Sequence, residues 1–205
     1  MEAATSAQLE PVRELAGDKA TRIVEAMRTS VATRGIAGST FDQVARAAGV
    51  SRGLLHYYFG TKERLLVEVV RRECDVRIEQ LELQIASATS GEDVVAALVE
   101  SFEDFLREPP ADVAIFYELM TLAQRNDDIA SELAELGRRT RSHLAQALRS
   151  ADEAGILQLR AEADVVATFL FALADGVAVR RLSEPELDIE PTSELVVAAG
   201  RAVLN

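Results

Sequence analysis

The chain is poor in the residues that staple or arm small proteins. A single cysteine among 205 residues excludes an internal disulfide framework. That residue, Cys74, has no CxxC partner or Cys/His cluster beside it, so a structural zinc site is excluded and a reducing cytosol is the simplest setting. Histidine is nearly as scarce. His56 and His143 stand alone, and neither falls in an ExxH or HExxH pattern, which argues against a helical metalloenzyme. No Ser-His-Asp order and no phosphate-cradling glycine loop is visible. Asn126-Asp127-Asp128 looks like a metal-binding carboxylate pair, but it opens an expected helix, where Asp serves as cap and dipole partner. Long apolar runs are missing too. Val165 to Leu173 is far short of the ~20 residues that cross a bilayer, and Glu2 and Glu10 leave no room for the basic and apolar regions of a signal peptide. We therefore expect a soluble cytoplasmic protein with no catalytic residues, no metal and no cofactor.

What is present is enough apolar side chain, 48% of the sequence, to bury one substantial core or a small module joined to a larger one. Acidic charge dominates: 34 Asp and Glu against 22 Lys and Arg give −12, which taken whole speaks against a polyanionic partner. The average hides an asymmetry. Residues 18 to 64 carry eight basic and four acidic side chains, a net +4, whereas residues 86 to 205 carry ten basic and twenty-two acidic. The first stretch can approach a polyanion and the second cannot.

Apolar residues recur at three- and four-residue spacing almost throughout, with no sustained period-two alternation, so the expected class is all-α with about nine helices. Residues 1–17 are weakly periodic and read as a flexible arm with at most a helical turn around Val12 to Ala16. Asp18 then caps a helix with the inward stripe Ala20, Ile23, Val24, Met27 and Val31, stopped by Gly35. Thr40 caps a brief helix ending at Gly49, and Ser51 caps a second running to about Tyr58. Two short helices joined through a glycine-containing turn form the pattern of a helix-turn-helix. Gly60 breaks the second, and Thr61 caps a long helix over 62–86 with Leu65, Val69, Val76 and Leu83 among its apolar positions. Further helices are expected at 92–107, 111–124, 127–154, 162–182 and 192–204, separated at Pro109-Pro110, Asn126-Asp127, Gly155 and Pro185 to Pro191.

In the second short helix Leu55 and Phe59 are one turn apart and face the core, so Gly53 and Tyr57 point nearly opposite, flanked by Leu54 and His56. An exposed face with an aromatic, a histidine and a glycine but no carboxylate suits a duplex groove. Gly53 lets the backbone approach, Tyr57 offers a ring and a hydroxyl, and Arg52 can reach phosphate or guanine. Thr40, Ser51 and Thr61 each place a hydroxyl at a helix N-terminus, where phosphate is held well, although each is a cap whatever else it does. Lys62 sits at the third of these.

These residues resemble the N-terminal signature of the TetR family of bacterial transcriptional regulators. Its Thr-led short helix, Ala-Ala-Gly-Val-Ser turn, Gly-x-Leu-x-Tyr-x-Phe recognition helix and Lys-Glu-x-Leu start have counterparts in Thr40–Val44, Ala47–Ser51, Gly53–Phe59 and Lys62–Leu65. The resemblance covers about residues 18 to 70. It implies that Thr40, Ser51, Arg52, Gly53, Leu54, His56, Tyr57 and Lys62 approach double-stranded DNA, with His56 a departure from the Tyr many members carry. It further implies a DNA-binding domain over 18–64 and an effector-binding and dimerisation domain over 65–205. The sequence supports part of this independently. The helix at about 164–182 is too apolar around its perimeter for one buried stripe, and the helix at 192–204 is similar, so both are expected to pair with their copies in a homodimer. Phe102, Phe105, Phe116, Tyr117, Met120, His143, Phe169 and Leu173 are the candidate lining of an effector pocket, each of which also fits an ordinary core position. Arg125 and Arg141 could meet an anionic effector, with surface ion pairs as their default. The expected function is a repressor released from a palindromic operator by a small molecule. The alternatives are a dimeric all-helical small-molecule-binding protein or an enzyme, either without DNA binding.

Overall fold

The computed structural model describes residues 18–107 and 110–204. The expected arm over 1–17 and Pro109 of the Pro109-Pro110 break lie outside the described residues. Among these, nine helices are present and no strand: α1 (Asp18–Gly38), α2 (Phe41–Ala48), α3 (Arg52–Phe59), α4 (Lys62–Ser87), α5 (Gly91–Arg107), α6 (Pro110–Ala123), α7 (Asp127–Glu153), α8 (Ala163–Ser183) and α9 (Glu190–Leu204). The chain divides into two compact units between Val69 and Val70, and α4 runs through the division.

In the first unit α1 packs on α2 and α2 on α3. Asp18 is the first residue of α1 rather than the cap before it, where its carboxylate still meets the positive end of the helix. The stripe Ala20, Ile23, Val24, Met27 and Val31 is buried, and Ser30 is buried with it. Gly35 leaves helical geometry at φ 71°, ψ 170°, and one more turn leads to Ser39, whose hydroxyl donates to the Gly35 carbonyl at 2.9 Å. Thr40 and Gln43 then form a reciprocal capping box on α2. Gly49 closes α2 in the left-handed region, its N–H donating to Ala45 and Arg46, with Val50 N–H following to Ala45 at 3.0 Å. The Ser51 hydroxyl accepts from Leu54 N–H to start α3. The joint from α3 to α4 is a γ-turn on one residue: Gly60 sits at φ 71°, ψ −63°, and Thr61 N–H donates across it to the Phe59 carbonyl at 2.8 Å. The Thr61 hydroxyl accepts from Arg64 N–H as α4 begins.

In the second unit α7 packs against α6 and α8, α9 packs against α8 and α5, and α6 also meets α8. Its closest-packed cluster draws Ile78, Leu81 and Ile85 from α4, Val94 from α5, Leu148 from α7 and Ala167 from α8. On α4 the buried stripe at 78, 81 and 85 leaves Val76 and Leu83 turned to solvent. Asn126, not Asp127, caps α7, accepting from Asp128 N–H and Ile129 N–H. Gly155 supplies the stop at φ 72°. The last carbonyls of α9 are satisfied from the loop before α8, with Arg160 N–H donating to Val203 and Gln158 N–H to Leu204.

Two substitutions test these features. The Ser30 hydroxyl is buried with no hydrogen-bond partner among the described residues, so Ser30→Ala should raise stability in denaturant unfolding by about 1 kcal/mol. A Cβ on Gly60 meets nothing within 4 Å, so the cost of Gly60→Ala is confined to its backbone and should be a loss of about 1–3 kcal/mol.

Candidate nucleic-acid interface

The exposed face of α3 is built as its periodicity requires. Leu55 and Phe59 are buried, which leaves Arg52, Gly53, His56 and Tyr57 exposed and Leu54 half-buried. Tyr57 is 60% exposed, and its ring meets Tyr58 edge-on at 5.4 Å. Thr40, Ser51 and Thr61 are exposed at three helix N-termini. A Cβ built on Gly53 would touch only Ser51 Oγ at 3.9 Å, an ordinary contact. Nothing among the described residues requires glycine there.

Beyond the helix caps, Arg52, His56 and Lys62 are also engaged within the unit. Arg52 Nη1 lies 3.3 and 3.4 Å from the two carboxylate oxygens of Asp42 on α2, and its Nε donates to His56 Nε2 at 3.4 Å. His56 Nδ1 is 3.1 Å from the Gly60 carbonyl. With Nδ1 protonated the ring donates to that carbonyl and accepts from Arg52, which uses both nitrogens. The imidazole also meets the Phe41 ring edge-on at 4.9 Å. Lys62 is half-buried, and its ammonium donates to the Ile36 carbonyl beyond Gly35. It therefore ties the end of α1 to the start of α4. Asp42 entered the sequence reading only as a negative charge. Its pairing with Arg52 spans ten residues across two helices and has no local signal.

The residues nominated for an effector occupy several places in the second unit, and none of them belongs to the closest-packed cluster. Phe102 and Phe105 of α5, Phe116 and Tyr117 of α6 and Leu173 of α8 are half-buried, while Met120 and Phe169 are 46% and 37% exposed. The Tyr117 hydroxyl donates to the backbone carbonyl of Asp175 at 3.1 Å, linking α6 to α8. Burial holds the Asp175 carboxyl above the usual carboxylate range, and burial with that nearby charge raises the Tyr117 phenol. The Arg77 guanidinium lies over the Phe105 ring, 5.1 Å from its centroid, and burial lowers its pKa. Burial likewise pushes the Cys74 thiol up, away from the reactive thiolate. His143 is exposed and pairs with Glu82 of α4 at 2.7 Å. It links α4 to α7, as do Arg71–Glu132 at 2.7 Å and Asp75–Arg139.

The helices expected at a dimer interface keep uncovered apolar faces. On α8 Val165, Phe169, Ala172, Gly176 and Val179 are all exposed at spacings of four, three, four and three. On α9 Leu195 is 71% exposed, and Ala198 and Ala202 follow it on the same side. No helix is long and apolar enough to cross a membrane, and no group of three potential metal ligands is found among the described residues.

Comparison with known proteins agrees with this geometry at both ends of the chain. Residues 23–69 match the family described as bacterial regulatory proteins, tetR family. Residues 91–204 match the C-terminal part of the BetI-type transcriptional repressors. The HTH-type transcriptional regulator BetI of Rhizobium meliloti (strain 1021) is 32% identical over 191 residues, covering 91% of this chain and 87% of that protein. The regulator of the same name from Brucella canis is 30% identical, covering 84% and 81%. Among solved structures, a TetR-family regulator from a Rhodococcus species superposes with TM-score 0.70 at 26% identity, covering 90% of this chain and 97% of that one. FadR from Bacillus subtilis, solved with stearoyl-CoA, shares the fold with TM-score 0.67 at 19% identity, covering 90% and 99%. With the helix-turn-helix matched at one end and the BetI-type segment at the other, the chain belongs to the TetR family of bacterial regulatory proteins and is a transcriptional regulator.

Proposed function

We propose that this regulator is a cytoplasmic homodimeric repressor without enzymatic activity, which holds a palindromic operator through α2 and α3 and leaves it when a small molecule binds the second unit. The observation that carries the reading is Gly53. Glycine in a helix is destabilising relative to alanine by up to about 1 kcal/mol, and here no neighbour within the fold needs the space. A residue that weakens its own helix without an internal reason is explained by a partner that approaches the backbone from outside. Its position near the N-terminus of the second helix of a helix-turn-helix is where base edges are met. In this reading Thr40, Ser51 and Thr61 offer phosphate sites, Tyr57 and Leu54 face the groove, and His56 and Lys62 act mainly by holding the unit together. The DNA-binding role belongs to residues 18–64 and the effector and dimer roles to 65–205.

Dimerisation through α8 and α9 covers the exposed apolar stripes of those helices and sets two recognition helices one duplex turn apart, ~34–36 Å. The effector acts by population shift: it favours one packing of the second unit, and the change reaches α3 along α4, which belongs to both units. The half-buried aromatics around Tyr117 and the Phe105–Arg77 pair are the proposed contacts. His143, committed to Glu82, is a less direct one.

Gel shifts with the duplex upstream of its own gene should show binding that weakens steeply with salt. In the same assay Gly53→Ala should reduce affinity by about 1–3 kcal/mol while unfolding at equal or higher denaturant. Equal loss of both properties, or no loss of affinity, would remove the argument from Gly53. Phe169→Glu combined with Leu195→Glu should give a monomer by light scattering, with operator affinity lower by roughly 10²-fold or more because the half-sites are no longer bound together.

A further inference from the structure

We infer that Arg52 reads a guanine edge in each operator half-site, and that Asp42 and His56 are the positioning residues that aim it. The inference rests on the duplex-binding reading above and names the chemistry of that same surface. A solvent-exposed arginine normally samples many rotamers, and ordering it costs up to ~2 kcal/mol. Here the guanidinium is held at two points before any partner arrives, by the Asp42 carboxylate at Nη1 and the His56 ring at Nε. The His56 ring is itself held, and the Asp42 backbone is set by its helix. Asp42 lies in the first turn of α2, beside the Thr40–Gln43 capping box. His56 is anchored on the Phe41 ring and at the Gly60 carbonyl.

The clamp leaves Nη2, with two of the five guanidinium donors, without a hydrogen-bond partner among the described residues. Arg52 is the first residue of α3, and its side chain remains 60% exposed. A planar donor group, neutralised by a carboxylate and presented in a fixed orientation from the N-terminal turn of a recognition helix, matches the O6 and N7 acceptors of guanine in the major groove. A phosphate contact needs no such orientation, and the adjacent carboxylate weakens it. Arg46 and Arg64 supply positive charge elsewhere in the unit. Asp42 and His56 thus convert a general cation into a directional reader.

The test is selection from a randomised duplex pool by the full-length protein, with the base preference at each position compared across variants whose folding is checked by circular dichroism. For the wild type, enriched half-sites should contain one guanine. Arg52→Lys, which keeps the charge but not the fork, should lose preference at that position alone by roughly 5- to 150-fold with the slope of affinity against salt unchanged. Asp42→Asn and His56→Phe should relax the same position by a smaller factor and leave the others intact. Unchanged preferences in Arg52→Lys, or a uniform loss across all positions with a reduced salt slope, would assign Arg52 to phosphate and overturn the inference. Identical preferences in wild type, Asp42→Asn and His56→Phe would overturn the positioning role. A wild-type protein that enriches no sequence would instead bring down the duplex-binding reading, and this inference with it.

Discussion

The eight residues of α3 bury only two side chains, Leu55 and Phe59. A helix that short does not hold itself in water, so its place in the first unit depends on what grips it from outside. The grip combines the burial of Leu55 and Phe59 with polar contacts at the ends. Gly49 and Val50 close α2 onto the Ala45 carbonyl, Ser51 opens α3, and the γ-turn at Gly60 hands the chain to α4 within one residue. Because each of these contacts ends or starts a helix, small displacements of α3 are opposed by hydrogen-bond geometry as well as by packing. On the outward face of α3, Gly53 is left without a packing duty among the described residues.

The same economy explains the side chains around it. Arg52, Asp42, His56 and the Gly60 carbonyl form one chain of contacts from α2, through α3, to the start of α4. Lys62 adds a link from α4 to the end of α1. Polar groups that would be solvated anyway cost little to pair, and they order the surface that meets a partner. Exposed pairs of this kind add little to stability, with a median near 0–1 kcal/mol. Their value lies in orientation.

The second unit works the other way. Its closest-packed cluster gathers α4, α5, α7, α8 and α9, while α8 and α9 keep further apolar stripes on their outer faces. Surface of that kind is left uncovered by the described residues, and the proposed homodimer would cover it. The half-buried aromatics of α5 and α6 stand outside that cluster.

How much of this was legible in the sequence follows from the distance over which each feature is decided. Except at the end of α1, which kinks at Gly35 but runs on to Gly38, helix starts and stops were readable to within two residues, because caps such as Thr40, Ser51 and Thr61 and stops such as Gly49, Gly60 and Gly155 act on hydrogen bonds within about four residues. The burial of Leu55 and Phe59 and the exposure of Tyr57 followed from helical periodicity alone. The partners of the polar side chains did not. Lys62 meets a carbonyl 26 residues away, Arg52 a carboxylate ten away and His143 a carboxylate 61 away. No local pattern encodes such pairings, since they depend on which helices pack and at what register. Val76 and Leu83 turn outward for the same reason: the buried side of α4 is set by its neighbours, and those take the side that carries Ile78, Leu81 and Ile85. The sequence by itself determined an all-helical chain with a helix-turn-helix and a groove-ready face on α3. Only the tertiary structure decided how that face's charged groups, Arg52 and His56, are held by their own fold, because their partners are set by helix packing.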